Sequence, residues 1–458
     1  MNNQRLPTFF LSFFAVCSLM LTQAQESYTV YGELLGIAGE GQNPFYQQNI
    51  TQGRISANTD FLAVVGGNYQ KQYTEKNSYS FGLETFLDYS PLLSTQPRLN
   101  TAYAALQLNR VAFVAGAKPD EERLLGLSST NGDILRSNNA RALPGVSVQM
   151  TSFGKIWDWL GIQAGIANYW LTDDRVVENT MVHHKNLSFK WTFTPKASLT
   201  AGVYHYAQWG GTSPDGKEPA ALVDYWRVFV GKQGGETARV ADQANAVGNH
   251  IGSYHLHYKK QFEHLNLELY HQNLFEDSSG REFAAFPDGV WGVFLGLPNN
   301  NFVKGLLYEY VQTNNQSGFA ENRGGDNYFN NGKYVSGWTY HGKTIGLPFM
   351  LPRPDGRGIV NNLVQAHHFG AYAATDKISF KGLFSYAENQ GTRLNPYFPE
   401  SPLTNLAAET VLHAYLESRY QLSTEISAGL SLAMDNSDTF EDVYAVLFSL
   451  KYRSSLQK

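Results

Sequence analysis

The sequence predicts an all-β fold: a transmembrane antiparallel β-barrel of about 18 strands, set in an outer membrane. Three observations carry this. Period-2 segments of ~10 residues recur along the chain, the length of a tilted strand crossing a bilayer. Tyrosines and phenylalanines gather near the ends of those segments, as in the aromatic girdles of membrane barrels. Of 458 residues only 16% are charged while 14% are aromatic, with 42 glycines and 27 tyrosines. That charged fraction falls well below the ~25% of an ordinary soluble domain, and the glycines and tyrosines suit turns and strands.

The elements follow in chain order. Arg5 is the only charge before an apolar run from Phe9 to Leu21, and Thr22-Gln23-Ala24 then offers small residues for cleavage. Residues 1–24 therefore read as a signal peptide, and residues 25–458 as a single barrel domain with long loops. Cys17, the only cysteine, falls inside the leader, and the bulky Val16 before it argues against lipid attachment. No later stretch is apolar enough for a transmembrane helix. The net charge of −5 gives nucleic acid no electrostatic footprint.

Alternation is clearest in the last third. Tyr444, Val446, Phe448, Leu450 and Tyr452 form one apolar face, opposite a mixed face that includes Ser449 and Lys451. Ile426, Leu430 and Leu432 alternate with Glu425, Ser427 and Ser431; Leu412, Ala414 and Leu416 alternate with His413, Glu417 and Arg419. Ile378, Phe380 and Phe384 alternate with Ser379, Lys381 and Ser385. Similar segments lie at 28–38, 61–69, 79–89, 99–109, 111–117, 187–193, 199–206, 251–258, 265–273 and 303–311. Backbone polar groups in lipid must pair internally, so such strands close into a barrel. Residues 453–458 read as a polar tail, and 119–133 and 237–245 as candidate amphipathic helices.

Three long connections are rich in aromatics and turn formers: Trp209 to Trp226, Glu276 to Trp291, and Asn314 to Pro348. Sugar rings stack their C–H faces on Trp and Tyr, while Asp, Asn and Arg bond the hydroxyls. Trp209, Asp215, Tyr225, Trp226, Asp288, Trp291, Asp326, Asn327, Tyr328, Trp338 and His341 suit that chemistry and form the candidate carbohydrate-binding set. The competing reading makes the same rings anchors at the membrane–water boundary.

Other motifs carry less. Gly337 to Thr344 matches the phosphate-loop pattern letter for letter, but three bulky rings fill its middle and Pro348 follows where a helix must start, so no nucleotide is expected. The pairs His183-His184 and His367-His368 place neighbours on opposite faces of a strand, which argues against a metal site. Asp326, Asn330 and Asn331 lack the alternating spacing of a calcium loop. No catalytic elbow or zinc motif is present, so neither enzyme chemistry nor a cofactor is expected.

Several strings together resemble the Wzi capsule-assembly family, in its Bacteroidetes-like form. They are Gly126-Leu127-Ser128-Ser129, Leu135 to Pro144, His183 to Leu187, Gly248 to Gly252, Phe275 to Glu282, Asp288 to Gly292, Gly324 to Asn331, Tyr334 to Trp338 and Ile345 to Pro348. The resemblance implies a barrel of near 18 strands in the cell outer membrane, without enzymatic activity, that helps hold capsular polysaccharide at the surface. Its partners would be that polysaccharide, or another surface glycan, and outer-membrane lipid. The family's sugar-contacting residues are not transferred, so the candidate set rests on loop chemistry. The alternative is a diffusion porin for sugars or other small solutes, with His413, Glu417 and Arg419 lining the lumen; an outer-membrane hydrolase ranks third.

Overall fold

The computed structural model describes residues 25–90, 96–232, 247–276, 283–300, 302–317, 326–392 and 408–457. The signal peptide and the proposed helix at 237–245 lie outside the described residues.

The chain runs through strands β1 (Gln25–Gly39), β2 (Phe61–Thr74), β3 (Asn77–Tyr89), β4 (Pro97–Leu108) and β5 (Val111–Ala117). β6 (Pro144–Met150) resumes after a break as Gly154–Trp157, and both pieces pair with β7 (Leu160–Trp170). Next come β8 (Met181–Thr194), β9 (Ala197–Trp209), β10 (Asn249–Gln261), β11 (Asn266–Glu276), β12 (Gly289–Gly296) and β13 (Val303–Gln312). The wall ends with β14 (Val364–Ala374), β15 (Ile378–Asn389), β16 (Glu409–Gln421), β17 (Ile426–Ser437) and β18 (Val443–Gln457). Every neighbouring pair is antiparallel, and β18 pairs with β1 from Ser27↔Gln457 to Gly39↔Ala445. The sheet closes on itself as an 18-stranded barrel and leaves no edge.

Alternation sets the two faces. On β18, Phe448 is 61% exposed, whereas Leu447 is 6% exposed and points inward. Leu430 and Leu432 on β17, Leu416 on β16 and Phe384 on β15 share the outer face, while Ser431, His413 and Ser385 turn inward. An apolar face of this extent would be unstable against water and matches lipid. The strand extends to Gln457, so the expected polar tail at 453–457 is instead the paired end of β18.

One end of the barrel has short turns, such as 75–76, 109–110, 195–196 and 375–377; the other carries every long connection. Long loops belong at the extracellular end of such barrels, and that end is called outer below. Four strands escaped the sequence reading: β6, β7, β12 and β14. The loop expected to reach Trp291 therefore stops at 288. Segment 119–133 is not a helix but an irregular path with one short turn at Leu124–Gly126. A helix does form within the first long connection, at Leu222–Val230.

A luminal plug and its outer cap

β5 stops at Ala117, which pairs with Ala102, well below the outer end of β4, so the chain leaves the wall partway up and turns inward. Loop 118–143 then crosses the lumen and is tied to the wall on several sides. Ser128 Oγ and Ser129 N donate to the Glu309 carboxylate of β13 at 2.6 and 2.9 Å, and Ser129 Oγ and Tyr270 OH also donate to it. His368 Nε2 of β14 lies 2.7 Å from the Leu127 carbonyl, and Tyr206 OH of β9 donates to Asp133 at 2.9 Å. Arg136 reaches Asp120 at 2.6 Å and the Tyr169 hydroxyl of β7.

A second layer comes from loop 313–363. Its hairpin Thr339–Tyr340/Lys343–Thr344 continues into 345–347, which lies against 134–139: Ser137 N donates to Ile345 O at 3.0 Å and Leu347 N to Ile134 O at 2.9 Å. A Cβ on Gly346 would sit 2.3 Å from the Ile134 carbonyl, so this close approach requires glycine. Trp338, fully buried, donates its indole N–H to Leu135 O at 2.7 Å. The third layer is loop 40–60 with the one-turn helix α1 (Phe45–Gln48). Tyr46 OH lies 2.7 Å from His368 Nδ1, and Phe45 stacks on His413 at 4.3 Å and Phe349 at 5.2 Å. Leu127, Ile134, Leu135, Phe329, Leu347 and Met350 join inward-facing wall residues in one apolar core. The lumen is thus filled at this level by packed side chains. Below the plug, Glu417, Arg419, Glu33, Lys381 and Glu122 line a polar cavity of about 280 Å³. Arg419 pairs with Glu417 at 3.1 Å and Glu33 at 3.6 Å, so the groups expected to face inward do so as ion pairs.

The candidate sugar residues separate into three groups. Asp288, Asp326, Tyr328 and Trp338 are buried in the plug and offer no face to a polymer. Asp288 accepts from Asn315 N at 3.0 Å, Gln316 N at 2.6 Å and Tyr328 OH at 3.0 Å, and burial pushes its carboxyl above the usual carboxylate range. Trp209, Tyr225, Trp226 and Trp291 lie on the outer wall. The second helix, α2 (Leu222–Val230), packs there over Trp209 and Ala207 through Val228. Trp209 donates to Asn168 at 3.0 Å, Tyr225 OH lies 3.2 Å from His183 Nδ1, and Trp226 is 59% exposed on the opposite side of the helix. Trp291 stacks on His271 at 3.7 Å. The anchoring role fits the exposed rings of Trp226 and Trp291 better than the sugar-stacking role, while Trp209 and Tyr225 pack between α2 and the wall.

The third group is exposed or half-buried. Asp215 and His341 are exposed at the tips of hairpins, and half-buried Asn327 accepts from Asn362 at 2.8 Å. Although one edge of its ring is exposed, the burial of the rest and the charges of Arg141, Arg98 and Arg175 push His341 down to about 4, leaving it neutral at pH 7. The phosphate-loop look-alike is this hairpin, and no helix follows it. His183 faces outward beneath α2 while His184 turns inward against Tyr206, splitting the pair as a strand must. Sequence reasoning missed Arg141 and Lys343, which lie beside His341 and carry no local motif.

A closed, lipid-faced barrel with long loops folded into a plug defines an outer-membrane β-barrel protein. Its sequence matches the family model described as capsule assembly protein Wzi over residues 38–349, and the chain belongs to that family. Among solved structures it is similar to Wzi of Escherichia coli, described as an outer-membrane protein involved in group 1 capsule assembly and a carbohydrate-binding β-barrel. That match has 16% identity and a TM-score of 0.60, covering 93% of this chain and 83% of that one. It is also similar to OccD3 (OpdP) of Pseudomonas aeruginosa, with 12% identity and a TM-score of 0.50, covering 94% of this chain and 91% of that one. No curated protein matches the sequence.

Proposed function

We propose that this barrel is a non-enzymatic, lectin-like protein that holds capsular or another surface polysaccharide on its outer cap. The observation that carries the reading is the plug: the long loops fill the lumen, and the roof they form is braced against the wall. A rigid roof suits a repeating polymer, because many weak contacts along the chain add up through multivalency. Asp215 and His341 are exposed, where a polymer on the cap would meet them; the buried rings support the roof instead. The diffusion-porin alternative needs a water-filled channel, and the packed core at the plug level counts against one there.

The test is the split of polysaccharide between cells and medium in the native host, with and without the gene. Polymer still made but shed into the medium supports the reading. Polymer that stays on cells lacking the protein overturns it.

A further inference from the structure

A lysine stands on the lipid-facing wall beneath α2. Lys185 of β8 shares the outward face with Leu187, and its cross-strand partner on β9 is His205. Its Nζ donates to the Phe229 carbonyl in the last turn of α2 and lies 4.6 Å from the Phe229 ring centroid. Among the described residues no carboxylate acts on it. A carbonyl at a helix C-terminus carries only part of a negative charge, so a positive charge remains beside lipid, where it is costly. His205 is also incompletely bonded. Val247 O accepts from His250 Nε2 at 2.8 Å, so the neutral His250 ring accepts at Nδ1 from His205 Nε2 at 3.0 Å. The His205 ring then offers a lone pair at Nδ1, which is buried without a hydrogen-bond partner.

Lys185 and His205 line one cleft of about 600 Å³ between the end of α2 and the wall, together with Leu187, Val203, Phe229 and Phe275. Gly252 of β10, opposite both His205 and Phe275, has no side chain, and the Phe275 ring leans over it. The cleft has a direction. Lys185 and His205 stand nearer the outer ends of β8 and β9 than Leu187 and Val203 do. Its polar end therefore points to the cell exterior and its apolar end to the middle of the bilayer, the polarity of an outer-leaflet lipid and the reverse of an inner-leaflet one. The apolar end is continuous with the wall face that lipid already covers.

We infer that this cleft binds one anionic lipid of the outer leaflet. An acyl chain lies over Leu187 and Val203 between Phe229 and Phe275. The head-group phosphate meets Lys185, and a hydrogen-bond donor of the same head group meets His205 Nδ1. The site is independent of any polysaccharide on the cap.

The experiment mixes the purified barrel, in a mild detergent, with equal amounts of dioleoylphosphatidylglycerol and dioleoylphosphatidylcholine. Retained lipid is read by native mass spectrometry. The wild type should retain one phosphatidylglycerol, preferred over phosphatidylcholine by about tenfold or more. Lys185→Gln, which keeps a donor for the Phe229 carbonyl, should lose that preference. Ala164→Trp fills the cleft from β7, opposite Leu187, and leaves Lys185 in place; it should lose the bound lipid. Both variants are checked for folding by heat-modifiable migration, and the comparison of the two lipids on the wild type needs no variant. A wild type that retains neither lipid, or both equally, overturns the site. A preference that survives in both variants places the lipid elsewhere on the wall and overturns it as well. Loss in Lys185→Gln with full retention in Ala164→Trp would leave a bare anion site and overturn the acyl-chain assignment.

Discussion

Replacing Glu309 with Ala should loosen the plug without disturbing the wall. Its carboxylate, fully buried, accepts from Ser128 Oγ, Ser129 N, Ser129 Oγ and Tyr270 OH. Each buried donor left without a partner costs ~1–3 kcal/mol. The hydroxyls can rotate toward new partners or water, but the Ser129 N–H cannot, so the loss to plug docking is ~1–3 kcal/mol. A loss near 2 kcal/mol moves the docked-to-undocked ratio about thirtyfold. The barrel ladders do not involve this carboxylate, so heat-modifiable migration should stay as in the wild type. In planar bilayers the wild type should conduct little, and Glu309→Ala should show transient openings, with new protease cuts in 118–143. Glu309→Gln, which keeps the shape and one acceptor oxygen, should lie between the two. If Glu309→Ala matches the wild type in both conductance and protease protection, the carboxylate is not the latch and the argument fails.

Other outcomes follow from the same geometry. Trp338→Ala removes a fully buried ring and its bond to Leu135. It should cost ~3–5 kcal/mol of plug stability, read as protease sensitivity in 326–363. Trp226→Ala, altering a ring on the outer side of α2, should leave polysaccharide binding unchanged while lowering the barrel's partition into vesicles. Gly289→Ala should abolish insertion, because Gly289 has φ +128° and its Cβ would lie 1.8 Å from Gln272 O, blocking the β11–β12 pairing; normal heat-modifiable migration would refute this.

The sequence by itself determined the barrel. In β18, as in β15 to β17, one face meets lipid and the other a wet or polar interior, so the period-2 pattern survives in the residues and even the facing of Phe448 and Ser449 can be read. The pattern fades where the plug packs. β7 turns Ala167 and Tyr169 into the core, and β12 turns in Val290 and Phe294 while Trp291 and Val293 face out. Apolar residues on both faces erase the alternation, which is why these strands were not legible. Only the tertiary structure decided the role of each loop residue. A ring such as Trp338 has the same chemistry whether it stacks on sugar or fills a core; Leu135, far away in the chain, makes the difference. The packing of Arg141 against the Phe86 ring is likewise set by long-range contacts and not by local sequence.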